Sequence, residues 1–578
     1  MKYPTLTKLN TSREMVEVFK GYNHNLRIGE GEFYDMKNLS SDNYPVLSPR
    51  PKRGVYAVPT NPQGMVVKDS LCYVDGGNFI INEYPVSMGL TVDEKPKTLI
   101  SMGAYVIIMP DKKYINTADL TDYGPIEASV TTTGTVTFEL CKVDGVEYSN
   151  MVTQATAPTE PENMDLWVDT SETPHQLKQY STTTDMWSVI ATTYIKISAT
   201  GIGKPFNEND GVTISGVESL PDLNASMVVW AKGDNYIVVT GILDQVTSQD
   251  TAITISRKMP NMDFIIESEN RLWGCRYGVA LNGEIVNEIY ACKLGDFKNW
   301  NCFMGISTDS YAATVGTDGQ FTGAITHLGY PLFFKENFVH KVYGNYPANY
   351  QIQTTACRGV QKGCERSLAI VNEVLYYKAR SGVCAYDGSL PMEISSALGE
   401  MAYHNAVAGT LGNKYYISMK DASEDWHLFV YDTLKGMWHR EDETQAADFC
   451  NCRGDLYYID YADNQIKTVR GTTGVAETDP IKWEAVTGII GTDSPDKKYI
   501  SRMDVRMSLS VGTRVSFFVE YDSSGEWEHL FTMDGVKLRT FAVPIRPQRC
   551  DHMRLRIIGN GEAKIFSICK TIEQGSDV

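Results

Sequence analysis

Between residues 262 and 470 one strand-rich unit recurs, and this recurrence limits the chain to a few architectures. The first strands of successive copies start near Phe264, Thr322, Ser367, His404 and Ala446, a period of roughly 40–60 residues, as in propeller blades. Within a copy, a β-branched and aromatic run (374–377, 414–419, 456–460) passes through Gly, Asn or Asp into a second run (382–386, 427–431, 465–469). Those turn residues tolerate the positive φ that tight hairpins need. One blade cannot bury both faces of its small twisted sheet, so it needs neighbours, and radial repetition supplies them. Two β-sandwiches with coincidental spacing are the competing arrangement. Tyr386-Asp387-Gly388, and Tyr431-Asp432-Thr433 followed by Gly436-Met437-Trp438, favour blades. An Asp bonds its own backbone two residues on, and a Trp packs across the sheet.

Upstream, 54–85 and 96–123 add two units, with Asp75-Gly76-Gly77-Asn78 as a hairpin signal, for a total of about seven blades. From 128 to 259 the pattern breaks into Thr-rich sequence containing Ala157-Pro158-Thr159-Glu160-Pro161-Glu162. Leu166-Trp167-Val168-Asp169, Leu177-Lys178-Gln179-Tyr180 and Met186-Trp187-Ser188-Val189 predict a three-stranded module there. The runs 211–215 and 236–239 predict a second module, the two forming an insertion between blades. Its Trp and Tyr residues read either as the core of a small sandwich or as faces that stack on sugar rings. After the Gly471-Thr472-Thr473-Gly474 linker, alternation over 501–510, 514–521 and 552–558 predicts a compact sandwich, with 522–527 as a hairpin turn before a core Trp527. The expected fold is therefore all-β: a β-propeller of about seven blades with an inserted β-domain and a C-terminal β-sandwich. The expected divisions are an extended N-terminal arm (1–53), first blades (54–127), the inserted domain (128–260), remaining blades (261–474) and the sandwich (475–578). Ser12 is placed to cap a helical turn or two over 12–20.

A hydrophobic fraction of 42% with 11% aromatics excludes a disordered chain. No apolar run of about 18 residues predicts a membrane span, and Met1 to Asn10 lack the apolar stretch of a signal peptide. The twelve cysteines form no framework. Cys450-x-Cys452 places two thiols on one strand face rather than at zinc spacing, so reduced thiols and folding in a cytosol are expected. A formal charge of −18 disfavours a surface that grips nucleic acid. It suits solubility alone and equally an acidic wall past which a duplex slides. No His-Glu-x-x-His, Gly-x-Ser-x-Gly or Gly-x-x-x-x-Gly-Lys motif occurs. No catalytic, cofactor or metal residue is assigned, no lumen-lining residue is named, and the chain is expected not to be an enzyme. Paired carboxylates contributed by distant blades are left open. Arg50, Arg53 and Lys335 are candidate DNA contacts, set against the commoner role of a paired or solvated cation.

The arm holds Gly21-Tyr22-Asn23, Glu30-Gly31-Glu32-Phe33, Asn38-Leu39 and Tyr44-Pro45-Val46-Leu47 with Arg50, in that order. It is followed by Asn270-Arg271-Leu272-Trp273-Gly274, Glu288-Ile289-Tyr290-Ala291-Cys292 and Leu294-Gly295-Asp296-Phe297-Lys298-Asn299-Trp300. Leu332-Phe333-Phe334-Lys335-Glu336, Val342-Tyr343-Gly344 and Ala385-Tyr386-Asp387-Gly388 complete the series. Over the arm and propeller this series resembles the packaged-DNA stabilisation proteins, the tail nozzles of short-tailed phages. The resemblance implies a structural virion protein at the distal end of the tail, assembled in the host cytoplasm as a homo-oligomeric ring, expected to be a hexamer, below an adaptor ring and portal. Such a ring surrounds the DNA exit channel, retains the packaged genome and allows its ejection. DNA passes without sequence-specific contact, and tail fibres or the host surface are further neighbours. Two other readings stand beside it: a glycan-binding or glycan-cleaving propeller acting as adhesin or depolymerase, and a cytosolic kelch-like scaffold.

Overall fold

A computed structural model describes residues 11–92, 96–149, 151–280, 283–492, 496–535 and 537–574. The absence of a signal peptide was read from Met1 to Asn10, which lie outside these residues. The protein is an all-β propeller with an inserted β-domain and a C-terminal β-sandwich. Strand accounts for 52% of the chain against 2% helix, so sheets alone build its cores. Among the described residues, no helix is long and apolar enough to cross a membrane.

Seven sheets are blades. The first four comprise 62–87, 98–125, 264–314 and 321–356, each of four strands taken in chain order. The fifth and sixth comprise 369–393 and 403–440. The seventh is built from Ala446–Cys452, Asp455–Asp460 and Gln465–Thr468, and it takes its fourth strand, Gly54–Ala57, from the far end of the chain. That strand was expected to open the first blade. It instead closes the last, held between Gln465–Thr468 and Val475–Ala476.

Local chemistry explains the recurrence. Blades 3, 4, 5 and 7 turn from first to second strand through two residues at positive φ: Glu269-Asn270, Leu328-Gly329, Asn372-Glu373 and Arg453-Gly454. This is the turn whose twist matches that of the strands it joins. Asp387 makes the expected turn, accepting from the amide of Ser389 two residues on (3.0 Å), whereas Asp432 accepts from that of Lys435, three residues on (3.2 Å). Trp438 packs on Tyr431 with ring centroids 4.9 Å apart.

The chain divides into two compact units, Met1–Leu99 with Phe334–Val339 and Thr355–Val578, and Ile100–Phe333 with His340–Thr354. In the first unit, the first strands of blades 5, 6, 7 and 1 touch in succession. Leu411, Tyr416 and Val430 pack on Leu456 and Tyr458 between blades 6 and 7, and Met65 and Leu71 on Tyr457 and Ile459 between blades 7 and 1. Cys450 and Cys452 share that second core, their thiols lifted by burial. No disulfide joins cysteines among the described residues.

The arm is not an extended leader. A helical turn or two was expected over 12–20, but Thr11–Val16 is a strand paired with Ala563–Gln574. Gly21–Tyr22 and Glu32–Lys37 join Met437–Arg440 of blade 6 to Lys482–Thr487, so one ten-stranded sheet runs from blade 6 through the arm into the C-terminal sandwich. Helix loses at Thr11–Val16 because a partner strand satisfies the backbone there, whereas so short a helix is marginal by itself. In the sandwich, Asp522 and Ser523 form the expected turn at positive φ, but Trp527 is half-buried under Arg556 rather than in the core.

The second unit carries the insertion. A four-stranded and a five-stranded sheet enclose Phe138, Ile197, Phe206, Ile214, Ile237 and Ile255. The expected three-stranded module has four strands, because Met151–Gln154 adds in parallel to Leu166–Asp169. Leu166, Val168 and Leu177 contribute to the same core.

The seventh blade's shared strand makes the fold dependent on Val55, which is paired on both sides. Val55→Pro removes a ladder hydrogen bond from an interior strand and is expected to cost about 3 kcal/mol or more. A urea unfolding curve compared with that of Val55→Thr measures it.

Candidate functional site

The residues that carry the family resemblance converge on the joint between arm, blade 6 and sandwich. Gly21, at φ +86°, lies so close to blade 6 that a Cβ would collide with the Trp438 carbonyl oxygen. Asn38 adopts a left-handed conformation (φ 54°), and its side chain donates to the Lys482 carbonyl (2.8 Å) and accepts from Arg50 Nε (2.8 Å). Leu39 beside it is fully buried.

The two arginines proposed as DNA contacts are internal. Arg50 meets Glu477 at 3.0 Å. Arg53 meets Glu441 and Asp442, each at 2.8 Å, and donates to Thr444 Oγ1 (2.8 Å) and the Tyr458 hydroxyl (3.2 Å). Burial alone would lift the Asp442 carboxyl, but Arg53, the hydroxyl and amide of Thr444 and Arg50 together hold the group below its usual range. Lys335 is also buried. None of the three presents its charge to solvent, so the paired-cation reading holds for both arginines.

Elsewhere in the first unit, Arg366 reaches from the start of blade 5 to Asp448 on the first strand of blade 7 (3.3 Å) and donates to the Lys97 carbonyl (3.1 Å). Burial raises the Asp448 carboxyl against the pull of Arg366 and of the Met65 and Phe449 amides. A cavity of about 480 Å³ lies beside the arm, lined in part by Phe19, Ile28, Ile490 and Leu555. Buried Lys570 on its wall binds Glu14 (2.8 Å) and Glu30 (2.6 Å).

In the second unit, three more motif segments interlock in blade 3. Arg271, almost wholly buried, donates to the carbonyls of Cys292 (2.7 Å) and Asp309 (2.6 Å), and the Gly295 amide donates to Asn270 O (2.9 Å). Asn299 reaches into the insertion, donating to Asp210 Oδ1 (3.0 Å) and accepting from the Gly211 amide (2.9 Å). Arg257 completes that network on Asp210.

A carboxylate pair does occur, although not across blades. Glu139 and Glu147 of the inserted domain bond each other: partial burial first, then Glu147, lifts Glu139, while the bond from Lys196 (2.8 Å) holds Glu147 down. The two carboxyls are thus pushed in opposite directions. Their direct contact is tighter than the separation of about 5 Å that a retaining glycosidase keeps around its substrate. Glu139 faces Lys196 across paired strands, and local sequence does not reveal that register.

No protein-family model and no curated protein matches the chain. Among solved structures, it is similar to the exo-β-1,3-galactanase of Phanerochaete chrysosporium at 8% identity, covering 53% of this chain and 94% of that one with a TM-score of 0.20. Trypanosoma rangeli sialidase shares 9% identity over 98% of this chain and 96% of its own, with a TM-score of 0.20. The extracellular domain of a one-component system of B. thetaiotaomicron shares 9% identity, covering 92% and 98%, with a TM-score of 0.22. The expectation that the chain is not an enzyme is corrected by this comparison, in which glycoside hydrolases and a sialidase recur. At TM-scores of 0.20 and 0.22 the likeness assigns neither substrate nor catalytic residue.

Two tests follow from the joint. Arg53→Met leaves Glu441 and Asp442 buried without their cation and is expected to cost about 3–5 kcal/mol, read from urea unfolding at neutral pH. His439, buried beside Gly21, is held down to about 3 first by burial and then by Lys414, with Asp432 and Asp42 opposing and Lys435 adding to the fall. The folded state therefore refuses a proton that the unfolded chain takes up below about 6.5, so stability falls as pH drops from there towards 3. His439→Gln is expected to lose about 2 kcal/mol less than the natural chain between pH 7 and pH 5.

Proposed function

We propose that this chain is a structural protein of a phage tail, a nozzle-type subunit that assembles as a ring around the DNA exit channel. The observation that carries the reading is where the resembling residues fall. Gly21 lies in the sheet that joins propeller to sandwich, Asn38, Leu39 and Arg50 lie buried in the arm that runs on from it, and Asn270, Arg271 and Asn299 build blade 3 and its link to the insertion. The motifs thus specify a framework, as a scaffold's motifs must. The formal charge of −18 supports a wall that does not hold phosphates. In this reading copies form a closed ring, expected to be a hexamer, seated below an adaptor ring at the distal end of the tail. The ring retains packaged DNA and lets it leave without sequence-specific contact. Tail fibres or the host surface are its outer neighbours.

The second reading is a glycan-binding or glycan-cleaving propeller. The names of the similar structures favour it, since a galactanase and a sialidase both act on glycans. Native mass spectrometry and negative-stain imaging, of the protein alone and mixed with its adaptor ring, separate the two. A closed multimer with a central hole wide enough for a duplex is the expected result. A monomer that ignores the adaptor and retains or cuts polysaccharide would overturn the tail reading in favour of the second.

A further inference from the structure

We propose that the outward face of the inserted four-stranded sheet is a binding platform for a neutral pyranose oligosaccharide. The strands are Met151–Gln154, Leu166–Asp169, Gln176–Ser181 and Met186–Val189. Side chains alternate between the faces of a strand, and residues opposite each other in register share a face. Leu166, Val168 and Leu177 point into the domain core, which leaves Trp167, Asp169, Gln176, Lys178, Tyr180 and Trp187 on the other side. The aromatic residues are therefore not the core of this module.

They form a graded cluster. Trp167 is the floor, 6% exposed, with Lys178 Nζ 4.9 Å from its ring centroid. Trp187 stands at 71° to Trp167 with centroids 5.4 Å apart, and Tyr180 lies 5.3 Å from Trp187. Polar ring edges already have protein partners: Trp167 Nε1 donates to the Gln154 carbonyl (2.8 Å), and the Tyr180 hydroxyl donates to Asp185. What Trp187 and Tyr180 offer a ligand is ring surface, since both are only half-buried.

The charges select among ligands that stack. Lys178 and Asp169 pair at 2.7 Å and cancel, so the face lacks the surplus of cations that a nucleic acid or a sulfated chain requires. The C–H face of a neutral pyranose fits over an aromatic ring, and its hydroxyls can exchange hydrogen bonds with the half-buried Lys178 and Gln176. The proposal uses none of the residues on which the tail reading rests, so it fails or survives separately from that reading.

Tryptophan fluorescence and affinity electrophoresis of the full chain with cellohexaose, maltohexaose and chitohexaose test the proposal. At least one sugar is expected to bind, Trp187→Ala to weaken it about tenfold or more, and Trp187→Phe to recover part of the loss. Met186→Ala, on the neighbouring position that faces the other way, is expected to bind like the natural chain, and circular dichroism checks that each variant is folded. Failure to bind any of the three sugars would overturn the proposal. So would binding that Trp187→Ala leaves unchanged, which would place the sugar elsewhere, or a preference for oligo(dT) over every sugar.

Discussion

A guanidinium taken out of water must find carboxylates, and Arg53 finds Glu441 and Asp442 in the turn between blades 6 and 7. Its own position follows the arm and immediately precedes the strand that completes blade 7. One buried charge therefore fixes the arm, the closing strand and the inter-blade turn against each other. Arg50 extends the constraint to Glu477, whose amide donates to the Arg53 carbonyl at 2.8 Å. Buried ion pairs are weak as sources of net stability, but removing one partner is costly. The network accordingly serves register more than strength: it forbids the arm from docking one residue out of place.

The sequence readings that hold rest on local chemistry. Asn372-Glu373 and Arg453-Gly454 announce their hairpins because turn conformation depends on the residues within the turn. Tyr431-Asp432-Thr433 with Trp438 is legible in part for the same reason: Asp432 bonds Lys435 and Trp438 packs on Tyr431 within one blade, whereas the bonds from Ser41 to Asp432 and from Trp438 to the Ile394 carbonyl are not local. The arm was not legible, because its partners lie far along the chain: Thr11 pairs with Glu573, and Phe33 with Thr487. Met15, Val16 and Phe19 have helical spacing, and nothing local announces a strand more than 500 residues away that will claim Thr11–Val16.

The candidate sites show the same division. Arg50 and Arg53 stand out in sequence as cations after an apolar motif, yet only the fold reveals that both are enclosed. Glu139 and Glu147 carry no motif, and Lys196 reaches them through strand pairing. Trp167 and Trp187 were visible as aromatic residues on short strands, but which face they occupy depends on register, and a shift of one residue would reverse it.

The strand Gly54–Ala57 emerges from the ribosome long before residues 446–468, with which it pairs. During translation it has no sheet to join, and Thr11–Val16 waits even longer for Ala563–Gln574. Such distant pairings close slowly and leave strand edges open in the interval. The nascent chain is thus a string of blades with an unsecured beginning until Ala563–Gln574 has been made.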